Sequence, residues 1–552
     1  MLIVLARAPG ESGATIATRL DDAGAVLGVE SPDDLIEFVR NEEPGRPRWV
    51  WDDTSRWYPQ LLAARLRVER CHDLRLCHAI LRHSVLTAGS VLAASERNAW
   101  DAPPAALQRR PVEGALFELD EEQPAVADPD PLAEYLLQAA AVGASAEPGR
   151  IGRLLAAESA GALIAAEMHF AGLPWRPDRH DEILTGILGP RPAIDGDRPA
   201  KLQEMLDRVR DLLEAPELNP DSPADLLRAL GVAGLMVTST RSWELKKLKH
   251  PAIEPLLEYK KLARLLSANG WHWLDTWVVD GRFRPDYVPG GVVTGRWATS
   301  GGGALQLPKQ IRGAVVADDG WKLVVADASQ LEPRILAAMA GDRGMVEAGA
   351  AGDLYAGIVA SGAVDTRDQA KVAMLGAMYG ATTGASGRLM PKLARAYPRA
   401  IGMVEDAARA GERGEVVTTR LGRSSPPGQS SAYDESVPPS ELTRARERAR
   451  AWGRFTRNFI VQGTAAEWAL CWMASIRRRL TTLAEGEWLT DAPHLVFFLH
   501  DEVVVHCPAE LADSVATEVR AAAAEAGRLL FGELPAEFPV TVAIVDDYGQ
   551  AK

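Results

Sequence analysis

Cysteine is scarce: four residues in 552, Cys71, Cys77, Cys471 and Cys507, with no CxxC pair and no regular spacing. That excludes a disulfide framework and a zinc site, and leaves plain thiols in a reducing compartment. Long apolar runs are lacking too. No stretch reaches the ~18 consecutive apolar residues of a membrane span, and the opening MLIVLARAPGES has too short and too early an apolar part for a secretory leader. The expectation is a soluble cytoplasmic chain, nucleoid-associated if it works on DNA, with no membrane partner. An excess of positive charge is also missing, because 61 Lys and Arg face 75 Asp and Glu, a net charge of −14. A protein of this sign does not coat nucleic acid indiscriminately, so any binding to DNA must use restricted basic surfaces.

What is present is enough apolar material, 47% of the residues, for several cores; at this length about 2 to 4 structural units are expected. Three basic clusters qualify as restricted surfaces: Lys246, Lys247 and Lys249 with Lys260, Lys261 and Arg264; the run from Arg444 to Arg457; and Arg477 to Arg479. Each would serve equally as a solvated helix face. Residues 1 to about 145 read as a compact α/β region whose loops include DAPPAALQRRPVEG and EEQPAVADPDP. A helical stretch follows from RIGRLLAAESAGALIAAEMHF through KLQEMLDRVRDLLEA. In NPDSPADLLRAL, Ser222 or Asp221 caps a helix with Pro223 in its first position. EPLLEYKKLARLLSANG predicts another helix, closed at Asn269-Gly270 as a C-cap. Strand-like runs then appear (LDTWVVDG, WKLVVAD, HLVFFLH, VVVHC, PVTVAIV), interrupted by a helical insertion between about 343 and 456. Within it RSSPPGQSSAYDESVPPS reads as a mobile loop.

Two of these runs end in carboxylates. WKLVVADASQLEPRILAAMAGD delivers Asp327 at the end of an apolar strand, just before a helix. HLVFFLHDEVVVHCP reads as a hairpin whose tip is His500-Asp501-Glu502, although tight hairpins prefer Asn-Gly or Asp-Gly. Two aspartates on neighbouring strands suit a pair of Mg²⁺ ions, with Mn²⁺ as a substitute, because such ions take one or two carboxylates plus substrate phosphates. Taken singly, Asp327 could equally cap the following helix and Asp501 fill a turn. In TRDQAKVAMLGAMYG, Arg367, Lys371, Leu375 and Tyr379 recur at steps of four, so a helix lines them along one stripe. A cationic start and an aromatic end fit a nucleotide, with the triphosphate on Arg and Lys and the base at the far end. An ordinary amphipathic helix with a solvated basic start reads the same way.

Together and in this order, DASQLEPRILAAMAGD, RDQAKVAMLGAMYG and HDEVVVH resemble motifs A, B and C of the family A DNA polymerases. TGRWATSGGGALQLP, RNFIVQGTAAEWAL and NPDSPADLL are similar to further family segments, so the resemblance covers about 170 to 552. It implies an α/β (α+β) right-hand fold of palm, fingers and thumb, preceded by a ribonuclease H-like domain of the 3′-5′ exonuclease type. The implied division is 1–150 exonuclease-like domain, 151–270 linker helix and thumb, 271–342 first part of the palm, 343–456 fingers and 457–552 second part of the palm.

The implied activity is DNA-directed DNA synthesis on a primer-template from deoxynucleoside triphosphates, by a monomer. The resemblance makes Asp327 and Asp501 the metal-binding catalytic carboxylates, with Glu502 an acidic neighbour and the Ala328 carbonyl a further metal contact. Arg367 and Lys371 would bind the triphosphate, with Gln330 beside them, and Tyr379 would lie near base pair and sugar. Glu332 would crowd a ribose 2′-hydroxyl. Arg296, Arg454, Asn458, Gln462 and His500 would contact primer-template or the nascent pair. Three departures from the family pattern stand out: Leu375 in place of Phe or Tyr, Tyr355 in place of His, and Ala328 in place of Tyr.

In the N-terminal region RLRVERCHDLRLCHAILR resembles part of the exonuclease fold, but no DxE lies near the first strand and no YxxxD precedes the thumb. A two-metal nuclease without its carboxylates cannot hold its ions, so a domain without proofreading is expected, with Asp52, Asp53 and Asp73 as surface or capping residues. Three alternatives remain: residual 3′-5′ exonuclease activity, a single-subunit RNA polymerase, and a primer-template binding protein without catalysis.

Overall fold

The computed structural model describes residues 1–8, 14–102, 130–194, 196–350, 352–380, 384–428, 439–534 and 536–551. The proline-bearing segments within 103–129 and most of the Ser/Pro stretch read as a loop, 429–438, lie outside them. Two compact units emerge: Met1–Ala171 with Asp286–Gly301 and Val324–Ile544, and Gly172–Pro285 with Gly302–Leu323 and Val545–Lys552.

The first unit begins with a five-stranded sheet of β1 (Leu2–Arg7), β2 (Thr15–Leu20), β3 (Val26–Glu30), β4 (Arg48–Trp51) and β5 (Arg70–Asp73), in the order β3-β2-β1-β4-β5. β1, β2 and β3 are antiparallel neighbours, whereas β1, β4 and β5 run parallel. Side chains alternate between two buried faces. Ile3, Leu5, Trp49 and Trp51 meet Trp57, Tyr58 and Leu61 of helix α1 (Thr54–Ala63), and Val4, Leu20 and Val50 meet Leu74 of α2 (Leu74–His83) and Trp100. Helix α3 (Pro148–Ala171) is long and apolar enough to cross a membrane, yet 72% of its apolar window is buried in the protein. It also carries Glu158 and Glu167, both buried and both paired with arginines, so it is a core helix.

The rest of the unit is built on a four-stranded sheet. β6 (Asp286–Val288) and β7 (Ala298–Gly301) form a small antiparallel ladder. β8 (Trp321–Ala328) then leads into helices α4 (Leu331–Ala340), α5 (Leu354–Ala360) and α6 (Arg367–Tyr379), and further helices bring the chain to α7 (Pro439–Leu483). α7 is one uninterrupted helix of 45 residues that runs through the position, 456, where fingers were expected to give way to palm. β9 (His494–Leu499), β10 (Glu502–Pro508) and β11 (Val540–Val545) complete the sheet in the order β9-β10-β8-β11. Leu323, Val324 and Ala326 of β8 and Val503, Val504 and Val505 of β10 are fully buried, as the apolar runs demand.

In the second unit Ser222, not Asp221, caps the helix Pro223–Val232 by accepting from the Asp225 N–H. Two expectations are corrected. Gly270 ends the helix Ile253–Asn269 in an extended conformation (φ −74°) rather than the left-handed one of a C-cap. It is glycine for space: a Cβ there would sit 2.2 Å from the Leu266 carbonyl oxygen, and the next helix, Trp271–Trp277, starts at once. That helix absorbs the first part of LDTWVVDG, leaving only Val278–Val279 as strand, because Trp273 packs on Trp175, His180 and Phe283 and its indole N–H reaches the Gly302 carbonyl at 2.8 Å.

Candidate active site

β9 and β10 pair through Leu499 and Glu502, so His500 and Asp501 are the whole connection. His500 takes the left-handed conformation at φ 59°, and the Asp501 N–H closes on the Leu499 carbonyl at 2.7 Å. Holding a non-glycine residue there costs ~1–3 kcal/mol and needs a rigid surround. Tyr287 helps supply it: its hydroxyl donates to the Phe498 carbonyl at 2.6 Å and accepts from the Phe498 N–H at 3.0 Å, while Trp297 packs edge-on to Phe498.

β8 lies beside β10, and the Ala328 N–H donates to the Asp501 carbonyl at 2.8 Å. Asp327 and Asp501 therefore end up at adjacent strand ends, a strand spacing of ~4.8 Å apart in backbone terms. Burial, reinforced by the Asp327 charge, pushes the Asp501 carboxyl up to about 6. Two carboxylates that resist joint ionisation are relieved by a cation between them. Glu502 follows, 2% exposed. Ala328 has only its backbone carbonyl to offer a metal. Among the described residues no three His, Cys, Asp or Glu side chains gather into an all-protein metal cage. The donor set thus fits a hard divalent cation that keeps water and substrate oxygens as its other ligands.

α6 carries the cationic and aromatic stripe. Thr366 caps it and Gly380 closes it in the left-handed region (φ 74°). Ala370, Ala373, Met374 and Ala377 are fully buried, whereas Arg367, Lys371, Leu375 and Tyr379 are all exposed, as the steps of four required. Gly380 is needed twice over, since a Cβ would also lie 2.9 Å from Cγ of Arg454.

Four of the expected residues form one hydrogen-bonded chain. Arg296 pairs with one oxygen of Glu332, the Tyr379 hydroxyl donates to the other at 2.9 Å, and the Gln462 amide donates to the Tyr379 hydroxyl at 3.3 Å. Arg454, Asn458 and Gln462 share a face of α7 at steps of four; the Asn458 side-chain oxygen is buried with no partner among the described residues. Burial and the Arg296 charge push the His500 imidazole down, so it is neutral near pH 7. Gln330 sits at φ 57° and spends both ends of its amide on the backbone and cap of α5, donating to Asp353 at 2.9 Å and accepting from the Leu354 N–H at 2.8 Å.

Asp353 and Tyr355 escaped the sequence reading as partners of Arg367. Arg367 Nε donates to Asp353 at 2.7 Å, and its guanidinium lies 5.5 Å from the Tyr355 ring centroid. Burial works against the Asp353 charge, but Arg367 and the Ala356 amide hold its carboxyl at about 2. Only the Asp in GDLYAG, a helix-cap signal, hinted at it.

The basic clusters divide. Lys260, Lys261 and Arg264 line an open groove of about 1210 Å³ within the second unit. Arg444, Arg446, Arg448, Arg450 and Arg454 are exposed, whereas Arg457 is buried on the Ala377 carbonyl and Glu405. Arg477 to Arg479 are engaged in ion pairs within the protein. Arg477 is buried against Glu167, and Arg478 and Arg479 pair with Glu518 and Glu525.

In the N-terminal region Asp53 caps α1 through the Ser55 N–H at 2.9 Å, and Asp73 caps α2 through Leu76 while also accepting from the Thr54 N–H and hydroxyl at 2.7 Å each. Both are buried caps rather than surface residues, and burial with the Asp53 charge raises the Asp73 carboxyl to about 7. Asp52 accepts from Trp57 and Arg56.

The comparisons agree with this geometry. The chain is 28% identical over 353 residues to the thermostable DNA polymerase I of Thermus thermophilus, covering 58% of this chain and 39% of the relative. It is 27% identical over 334 residues to DNA polymerase I of Chloroflexus aurantiacus, covering 55% of this chain and 33% of the relative. The chain therefore matches well under half the length of these relatives. Its fold is shared with the POL domain of Pol1 from M. smegmatis, solved in complex with DNA primer-template and dNTP, at a TM-score of 0.68 and 19% identity, over 100% of this chain and 95% of that one. The right-hand architecture of palm, fingers and thumb is thus the fold of this chain. The profile of DNA polymerase family A matches residues 197–549, well over half of the sequence, and the chain belongs to that family.

Proposed function

We propose that the chain is a DNA-directed DNA polymerase that adds deoxynucleotides to a primer 3′-hydroxyl. The observation that carries this reading is the placement of Asp327 and Asp501 at adjacent strand ends, joined by the Ala328-to-Asp501 hydrogen bond. That the related Pol1 domain was solved with primer-template and dNTP supports the same substrates here. In the reaction the primer O3′ joins the α-phosphorus, the bond to the bridging β-phosphate oxygen breaks, pyrophosphate leaves and the hydroxyl proton passes to water. Two Mg²⁺ ions, or Mn²⁺ in their place, lower the pKa of the primer hydroxyl and neutralise the leaving pyrophosphate when bound.

The chain's own residues do the rest. Asp327, Asp501 and the Ala328 carbonyl hold the ions, with Glu502 adding negative potential. Arg367 and Lys371 bind the triphosphate, while Leu375 and Tyr379 present the apolar and aromatic surface for sugar and base. Glu332, fixed by Arg296 and Tyr379, stands where a ribose 2′-hydroxyl would need room, which favours deoxynucleotides and counts against an RNA polymerase. Gln330 acts through Asp353 and α5. Arg454, Asn458, Gln462 and His500 face primer-template.

The sheet order β3-β2-β1-β4-β5 supports an exonuclease-type fold for residues 1–150, and the capping duties of Asp53 and Asp73 support the loss of proofreading. A soluble cytoplasmic monomer acting in DNA replication or repair completes the reading. Labelled primer-template with Mg²⁺ tests it. Extension is expected with deoxynucleotides, little with ribonucleotides and no shortening without nucleotides; absence of extension by the intact chain would refute the polymerase, and leave a primer-template binding protein.

A further inference from the structure

The resemblance to family A polymerases implies a histidine where this chain has Tyr355. The structure shows what the ring does instead. Tyr355 is 6% exposed at the start of α5, its N–H bound to the Asp353 cap at 2.9 Å. The Arg367 guanidinium is gripped on two sides, by the Asp353 carboxylate at Nε (2.7 Å) and by the Tyr355 ring at 5.5 Å. The side chain of Arg367 is nonetheless 54% exposed. A long arginine that binds phosphate from a free rotamer distribution loses much of its affinity to ordering. A ring under the guanidinium orders it beforehand and, unlike a second carboxylate, takes none of the N–H donors. The Nε contact leaves the two terminal amino groups for an incoming anion.

We propose that Tyr355 is a positioning residue for the incoming nucleotide: its ring holds the Arg367 guanidinium in place to meet the triphosphate, and so sets the KM for deoxynucleotide rather than the rate of chemistry. This rests on Arg367 being a triphosphate ligand, as proposed above. Burial and the nearby Glu332 push the Tyr355 hydroxyl up to about 12, so the ring stays neutral over the working range and cannot repel phosphate. Lys371, one turn further along α6, has no such platform in Tyr355 and is expected to be insensitive to it.

The test is single-nucleotide extension at saturating primer-template, with the intact chain. Tyr355→Met, close in volume but without a ring, is expected to raise the KM for deoxynucleotide about fivefold, as loss of a cation–π contact implies, with kcat within about twofold. Tyr355→Phe restores the ring and is expected to rescue KM to within about twofold of the parent. In an Arg367→Gln background, which has no cation to hold, Tyr355→Met should add less than about twofold, because the two act as one unit. An unchanged KM in Tyr355→Met, a Phe variant as poor as the Met variant, or a full Met effect in the Arg367→Gln background would each overturn the proposal. Thermal melting of each variant identifies a folding defect, and if Tyr355→Met melts early, Tyr355→Leu is measured in its place, with the same rise in KM expected and an unchanged KM overturning the proposal. A parent chain that extends no primer overturns the polymerase reading itself, whereas a parent that extends while Tyr355 variants keep its KM overturns this inference alone.

Discussion

The N-terminal sheet and the four-stranded sheet each carry aspartates at strand ends, and they surround them differently. Asp53 follows β4 and Asp73 ends β5, and both accept from backbone amides at the starts of α1 and α2. Asp501 sits in a turn at the tip of a hairpin and is held against Asp327 on the neighbouring strand, so its charge is opposed by its surroundings. Burial and a neighbouring carboxylate raise Asp73 as they raise Asp501, but Asp73 is tied by amide and hydroxyl donors into two helix starts, whereas Asp501 stands at a hairpin tip beside Asp327. Position in a strand does not reveal chemistry; the partner that answers the charge does.

Asp327→Ala breaks the comparison most severely. Primer extension should fall at least about a thousandfold, roughly 4 kcal/mol of transition-state stabilisation, while the melting temperature measured without divalent ions does not fall. Next is Glu167→Gln. Glu167 is buried between Arg67 and Arg477 and those charges hold its carboxyl far below the usual range despite burial. Removing it leaves uncompensated buried cations and should cost about 3 kcal/mol in denaturant unfolding.

A smaller effect comes from pH. Since the Asp501 carboxyl is raised to about 6 and an ion needs the ionised form, divalent-ion affinity should drop about tenfold per unit below that value. The sign for stability is opposite to that of a salt-bridged carboxylate. A folded-state value above the unfolded one means that ionisation costs stability above about 6, and that the cost fades as pH falls through it. Asp501→Asn should therefore raise the melting temperature of the ion-free chain at pH 8, raise it less at pH 5, and leave it unchanged below about pH 4, where the carboxyl is protonated in both states. The smallest effect is expected for Asp53→Ala: about 1 kcal/mol of stability for a lost cap, with primer extension unaltered. An extension rate that followed Asp53 would erase the distinction between the two regions.

Much of the site was legible because its signals are local. The strand carrying Asp327 and the His500-Asp501 hairpin follow from continuous apolar runs, and the stripe from Arg367 to Tyr379 from a period of four, each within one segment. What stayed hidden depends on partners far away in the chain. Arg477 stood in a basic cluster that reads as a solvated helix face or a nucleic-acid patch, and its buried partner Glu167 lies 310 residues away. LDTWVVDG has strand composition, and an aromatic cluster assembled from Trp175, His180 and Phe283 turns its first part into helix. Gly270 looked like a conformational choice and is a steric one, visible only once Leu266 and Trp271 are in place. Even the grip of Asp353 on Arg367 needed the turn between α5 and α6 before the two could meet.

The unbroken helix α7 carries Arg454, Asn458 and Gln462 on one stretch and Arg477 on another, fifteen residues beyond Gln462 and so ~22 Å along a rod that does not bend easily. Arg477 is clasped by Glu167, the Val68 carbonyl and the Glu69 carbonyl. A shortened chain without the first 150 or so residues would therefore lose the Val68 and Glu69 carbonyls that seat one end of the beam whose other end is proposed to meet primer-template, and the N-terminal region serves the rest as masonry.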